Sequence, residues 1–138
     1  MSVPAIVDTS IWVDVFRDAS GDRRRQLEAM VDPEDVLLTP FTELELLQGC
    51  RDDEEWSLLA AYLETQEYLA PVRETWVAAA RVFFDLRRLG KTVRSPVDCC
   101  IAQIAIERRV LLIHRDRGFE AIAEIRPLRQ LFVRWVSR

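Results

Sequence analysis

The chain has 138 residues, 49% hydrophobic and 30% charged, with a formal net charge of −4. That length accommodates one domain with a substantial core, and the balance excludes a disordered, fibrous or disulfide-scaffold protein. No apolar run is long enough to span a bilayer, and no basic stretch leads into an apolar signal segment. A cytoplasmic protein, 1–138 as one domain, with no membrane partner is expected. The cysteines, Cys50 and the adjacent Cys99 and Cys100, form no framework and with the one histidine, His114, lack zinc spacing, so buried free thiols are expected. The negative charge does not advertise nucleic-acid binding. Every basic residue except Lys91 is arginine, which grips phosphate through a planar fork of donors, although codon usage alone explains such a bias.

In chain order, Val3 to Val7 reads as a buried strand, an apolar run with Pro4 tolerated at its start. Thr9 and Ser10 cap a helix whose apolar stripe is Ile11, Trp12, Val15 and Phe16. A second helix covers Asp22 to Val31, with Arg23, Arg24 and Arg25 on a solvated face. A strand at Val36 to Thr39 leads to a helix starting at Pro40 and stopping at Gly49. The next helix, Asp53 to Leu63, places Trp56, Leu59, Tyr62 and Leu63 on a stripe that usually signals core. A short strand at Tyr68 to Ala70 precedes the longest helix, Arg73 to Leu89, which Gly90 ends. Ser95 and Pro96 open a helix running to Arg108. Strand Val110 to Ile113 follows, then a short helix near Asp116 and an edge strand at Leu131 to Val136. Strands alternating with helices give an α/β fold, a parallel sheet covered on both faces.

Four acids stand at the ends of these elements: Asp8, Glu45, Asp98 and Asp116. A carboxylate where a buried strand opens into a helix faces the crevice in which open α/β sheets bind ligands. Each acid alone is equally explained as a helix cap or a dipole partner. Together they suggest one negative pocket, and such a pocket needs a cation.

In combination the motifs resemble those of the PIN-domain ribonucleases, and within them the VapC toxins of toxin–antitoxin systems. Val7-Asp8-Thr9-Ser10-Ile11-Trp12 is similar to the family's opening strand and first acid. Glu45-Leu46-Leu47-Gln48-Gly49 resembles its second motif, and Ser95-Pro96-Val97-Asp98-Cys99-Cys100-Ile101-Ala102 its third. Leu111 to Phe119, with Arg115-Asp116, resembles its fourth. The resemblance covers nearly the whole chain and implies a three-layer fold with a central, mostly parallel five-stranded sheet. Two departures stand out. Many relatives carry an acid or asparagine where Gly118 stands, so metal binding near Asp116 is expected to be leaner. Glu43 competes with Glu45, but the two do not share a helix face, and the spacing to Gly49 favours Glu45.

The resemblance implies a Mg²⁺- or Mn²⁺-dependent endoribonuclease, hydrolysing RNA and neutralised by a cognate antitoxin. Alternatives are a PIN nuclease for RNA maturation or repair without an antitoxin, and a non-catalytic PIN-like binding module. Carboxylate-held hard cations neutralise charge around phosphate and activate water. Asp8 and Asp98 are assigned to direct coordination. Asp116 and Glu45 act directly or through water, with either able to orient the nucleophile, and the metal count stays open. Crowded carboxylates cannot all ionise cheaply, so at least one pKa should be raised and metal affinity should fall with pH. Thr9 and Ser10 either cap the helix or orient Asp8 and touch phosphate. Arg88 and Arg94, within the basic run Arg87 to Arg94, and Arg115 beside Asp116 are candidate RNA contacts, against a reading as solvated charges. The family further implies a homodimer and an antitoxin groove near the Trp56 stripe, with a partner's basic residue reaching the acids. A Ser-His-Asp hydrolase is disfavoured: no Gly-x-Ser-x-Gly elbow is present.

Overall fold

The computed structural model describes residues 2–137. Its centre is one sheet of five parallel strands in the order β3-β2-β1-β4-β5. The strands are β1 (Ala5–Val7), β2 (Val36–Leu38), β3 (Glu67–Tyr68), β4 (Leu111–His114) and β5 (Gln130–Phe132). The helices are α1 (Thr9–Arg17), α2 (Asp22–Met30), α3 (Pro40–Gln48), α4 (Asp53–Leu63), α5 (Arg73–Arg88), α6 (Pro96–Arg108) and α7 (Arg117–Ile125). The expected α/β architecture is present, and the sheet is parallel throughout.

Side-chain alternation splits the core into two layers. Ile6, Leu37 and Leu112 point to one face and pack with Leu86 of α5, Ile101 and Ile104 of α6, and Phe119 and Ile122 of α7. Ala5, Val7, Val36, Leu38 and Ile113 point to the other, against Ile11, Trp12 and Val15 of α1, Leu27 of α2, Leu46 of α3 and Leu63 of α4. The strands are buried on both faces, which explains the continuous apolar runs of β1 and β4.

Strand boundaries differ from expectation for local reasons. β1 starts at Ala5 because Pro4 has no amide to give the ladder. β2 stops at Leu38, since Thr39 turns to cap α3, accepting the Thr42 amide at 3.2 Å. β3 begins one residue earlier than expected. β4 is displaced by one residue because the Val110 amide closes α6 onto the Ala105 carbonyl at 3.1 Å. β5 ends at Phe132, and the following chain crosses to α1 and α2. There the Trp135 indole donates to Asp14 at 2.9 Å and the Val136 amide to Gln26 at 2.9 Å. A 3₁₀ turn at Pro33–Asp35 was not anticipated.

The α4 stripe is only partly core. Leu63 is buried, whereas Trp56 and Tyr62 stay exposed. Cys99 and Cys100 are buried as expected, but Cys50 is only half-buried. Arg23 is not merely solvated, since its guanidinium lies over the Trp135 ring, 5.7 Å from the centroid.

Leu86 is fully buried where α5 meets α6 and the sheet. Leu86→Ala is expected to cost about 2–5 kcal/mol by loss of transfer energy plus a cavity. Equilibrium denaturant unfolding measures it, and a loss under about 1 kcal/mol would show that this layer is loosely packed.

Candidate active site

The strand order reverses between β1 and β4, because the chain moves outward from β1 through β2 to β3 and then returns to β4 on the opposite side. The crevice at the carboxyl ends of such strands is where open α/β sheets bind ligands. An aspartate leaves each strand there. Asp8 caps α1 and Asp116 caps α7. The Asp8 amide donates to the Ile113 carbonyl at 2.9 Å, stitching the two ends together.

α3 and α6 supply the remaining acids. A cavity of 430 Å³ is lined by Asp8, Glu45, Asp98 and Asp116, together with Thr9, Ser10, Val13, Asp14, Arg17, Arg94 and Arg115. All four acids singled out by the motifs meet here. Glu43 instead lines a separate groove with Leu44, Leu47 and Trp56, outside the cavity that Glu45 lines.

Each anchored acid is held by one oxygen. Asp8 Oδ2 accepts the Ser10 amide at 3.1 Å and the Ser10 hydroxyl at 2.6 Å. Ser10 Oγ in turn accepts the Arg115 amide at 3.2 Å. Glu45 Oε1 accepts the Thr9 hydroxyl at 2.9 Å. Asp116 Oδ1 accepts the Gly118 amide at 2.8 Å, while Arg94 approaches Oδ2 at 3.7 Å. Thr9 and Ser10 therefore orient two acids besides starting α1. The Asp98 side chain, in the first turn of α6, has no hydrogen-bonding or ion-pair partner among the described residues. Burial first, then the neighbouring Asp116 and Asp8, raise its pKa to about 7, with Arg94 opposing.

The basic candidates separate. Arg94 and Arg115 line the cavity, Arg115 held by Asp14 at 3.1 Å. Arg88 does not; it borders another depression with Asp85, Leu89 and Arg126 and lies over the Phe84 ring. Lys91 pairs with Glu124, and Arg87 lies over the Phe83 ring, 5.8 Å from its centroid. Asp14 and Arg17 were missed, although their spacing from Ser10 (four, then three residues) puts them on one helix face. His114 was missed as well. It is fully buried behind Asp116, and burial first lowers its pKa. At Gly118 an added Cβ would stand 3.2 Å from Asp116 Oδ1 and 3.3 Å from Val93, so a larger residue there would have to displace Val93.

Among the described residues, no three His, Cys, Asp or Glu side chains converge tightly enough to enclose an ion. The donor set nevertheless fits a hard divalent cation. It is all carboxylate oxygen, three acids keep one oxygen outside their anchoring hydrogen bonds, and Asp98 is unpartnered. Magnesium keeps several waters and takes few protein ligands. The thiols offer nothing comparable, with that of Cys99 pushed up to about 12 by burial and the nearby Asp98.

The PIN domain family profile matches residues 5–125. The ribonuclease VapC11 of Mycobacterium tuberculosis is 31% identical over 126 residues, 89% of this chain and 94% of that protein. The DNA-bound VapBC of Salmonella typhimurium aligns with a TM-score of 0.74 at 16% identity, covering 94% of this chain and 98% of that one. VapBC-5 of Mycobacterium tuberculosis, a toxin–antitoxin system, aligns at 0.66 with 24% identity, covering 95% and 99%. At those identities the structural likeness is one of fold. The chain belongs to the PIN-domain family, among its VapC-type members.

The Asp98 shift links stability to pH. Its folded pKa of about 7 exceeds the unfolded 3.8, so the folded state holds the proton more tightly. Stability is greatest below the unfolded pKa and is lost as pH rises toward 7. Asp98→Asn should therefore stabilise the metal-free protein at pH 8 by about 1–2 kcal/mol after solvent screening, and near zero at pH 4. Thermal unfolding across pH tests this; a pH-independent difference would refute the crowding.

Proposed function

We propose that this protein is a divalent-metal-dependent endoribonuclease toxin, hydrolysing RNA phosphodiester bonds and restrained by a cognate antitoxin. The observation carrying the reading is the meeting of Asp8, Glu45, Asp98 and Asp116 in one cavity at the sheet's reversal point. VapC-type relatedness supports both the activity and the partner.

Asp8, Asp98 and Asp116 would hold Mg²⁺ or Mn²⁺. When bound, such an ion neutralises charge at the phosphate and lowers the pKa of water. The protein's own groups supply the rest. Glu45, steadied by Thr9, takes the proton of the attacking water. The water oxygen bonds to phosphorus as the bond to the departing ribose oxygen breaks, and that oxygen takes a proton from solvent. Arg94 and Arg115 bind flanking phosphates through charge-assisted hydrogen bonds. Arg17, on the same wall, extends that track. Arg88 is left out of it.

A second depression, of 500 Å³, supports the antitoxin reading. Phe16, Leu58, Leu59 and Tyr62 line it beside Arg24, Arg51 and Glu55. Trp12 underlies it, stacked on Phe16 at 5.6 Å and met edge-on by Tyr62 at 5.8 Å. An amphipathic partner segment would cover this apolar surface. Exposed Leu44 and Trp56, which line one groove, would suit a homodimer contact.

Induced expression of the wild type beside Asp8→Asn, followed by mapping of RNA ends, tests the activity. The wild type should arrest growth and leave defined ends, and the variant should lose at least about 100-fold in cleavage. Equal arrest by both would refute the assignment. Mn²⁺ affinity should also fall as pH drops from 8 to 6, because the Asp98 proton competes with the ion. Titration calorimetry reads this directly, and a constant affinity over that range would exclude Asp98 from the site.

A further inference from the structure

His114 ends β4, two residues before Asp116, and is the chain's one histidine. Its ring is fully buried between two aromatics, 4.9 Å from the Phe119 centroid and 5.7 Å from that of Phe132. Both ring nitrogens are engaged. Nδ1 faces the Asp116 amide at 3.1 Å, and Nε2 faces Gln130 Oε1 at 2.6 Å. An amide N–H can only donate, so Nδ1 must be unprotonated. The ring proton then sits on Nε2 and goes to the Gln130 carbonyl oxygen.

We propose that His114, held in the Nε2–H tautomer by Gln130, is a positioning residue that fixes the backbone of Asp116 and so aims its carboxylate into the cavity. The inference rests on the metal-site reading above. Asp116 is thereby held at two points. His114 holds its amide, and the Gly118 amide holds Oδ1 at 2.8 Å, leaving Oδ2 on the cavity side toward Arg94. Removing the Nδ1 acceptor orphans the Asp116 amide beside a buried ring and frees the strand end to reorient. Gln130 comes from the neighbouring strand β5, so the edge strand reaches the site through this relay.

The test uses the full chain and Mn²⁺ alone as probe. With one histidine, the long-range proton–nitrogen spectrum is unambiguous. It should report the neutral Nε2–H tautomer at neutral pH, and an Nδ1–H tautomer or an imidazolium would overturn the proposal. His114→Phe keeps the aromatic packing without the acceptor and should weaken Mn²⁺ binding by about 10–100-fold per folded molecule. His114→Asn, whose side-chain oxygen can replace Nδ1, should restore affinity to within about threefold while remaining less stable. Gln130→Met should release the tautomer and give an intermediate loss. A purely structural histidine would lower the melting temperature of all three and leave Mn²⁺ affinity unchanged; that result overturns the positioning role and leaves the metal site standing. A wild type that binds no Mn²⁺ overturns both.

Discussion

Everything at the cavity depends on the pairing of β1 with β4 at the centre of the sheet. Neither strand is long, yet their register puts Val7 beside Ile113, so both chains leave the sheet at one level. The Asp8 amide continues that ladder by one bond, to Ile113. Parallel strands cannot be joined by a tight turn, and long helical crossovers must run between them. Those crossovers deliver the other two acids. α3 follows β2 and brings Glu45, while α6 precedes β4 and brings Asp98. Four carboxylates from distant parts of the chain therefore meet because of one strand pair.

Capping does not compete with the metal-binding role proposed for Asp8 and Asp116. A carboxylate has two oxygens, and each aspartate spends one on the first turn of its helix. The anchored oxygen restricts rotation about the side chain, so the other is aimed without further ordering cost. Asp98 differs. It lies within the first turn rather than at the cap and takes no anchoring bond, so it carries most of the burden of like-charge crowding, visible as its pKa near 7. Crowded carboxylates repel one another when no cation lies between them, and here that repulsion falls on the unanchored member.

How much of this was legible depended on whether the determinant was local. Helix starts were readable because Pro40, Ser95 and Pro96 act on their own turns. Strand cores were readable because burial on both faces removes polar residues. Strand ends were not, since they depend on partners such as the Val110–Ala105 bond. The four acids were legible from motif spacing. Arg88 looked equivalent to Arg94 from its position in one basic run, but it lies within the last turn of α5 and turns back over Phe84, whereas Arg94 lies in the loop beyond. His114 was read from the sequence only as lacking zinc spacing, because its tie to the site is set by Gln130 across the strand pair, which no local pattern reveals.

The arginines raise a last question of balance, because cations beside an acidic cavity would compete with the metal ion proposed to bind there. Their geometry resolves the conflict. Arg115 is turned aside by Asp14, which also takes the Trp135 indole, so its charge is held at the rim rather than over the acids. Arg94 does face Asp116, but at 3.7 Å and with 85% of its side chain exposed. Such a pair contributes at most about 1 kcal/mol and screens readily. A divalent ion or a phosphate can displace that contact at little cost. Free of Asp116, the Arg94 guanidinium remains beside the cavity with its donors open to an approaching anion. On the proposed function, the same residue would relieve repulsion in the resting site and become available to substrate when the carboxylates are otherwise engaged.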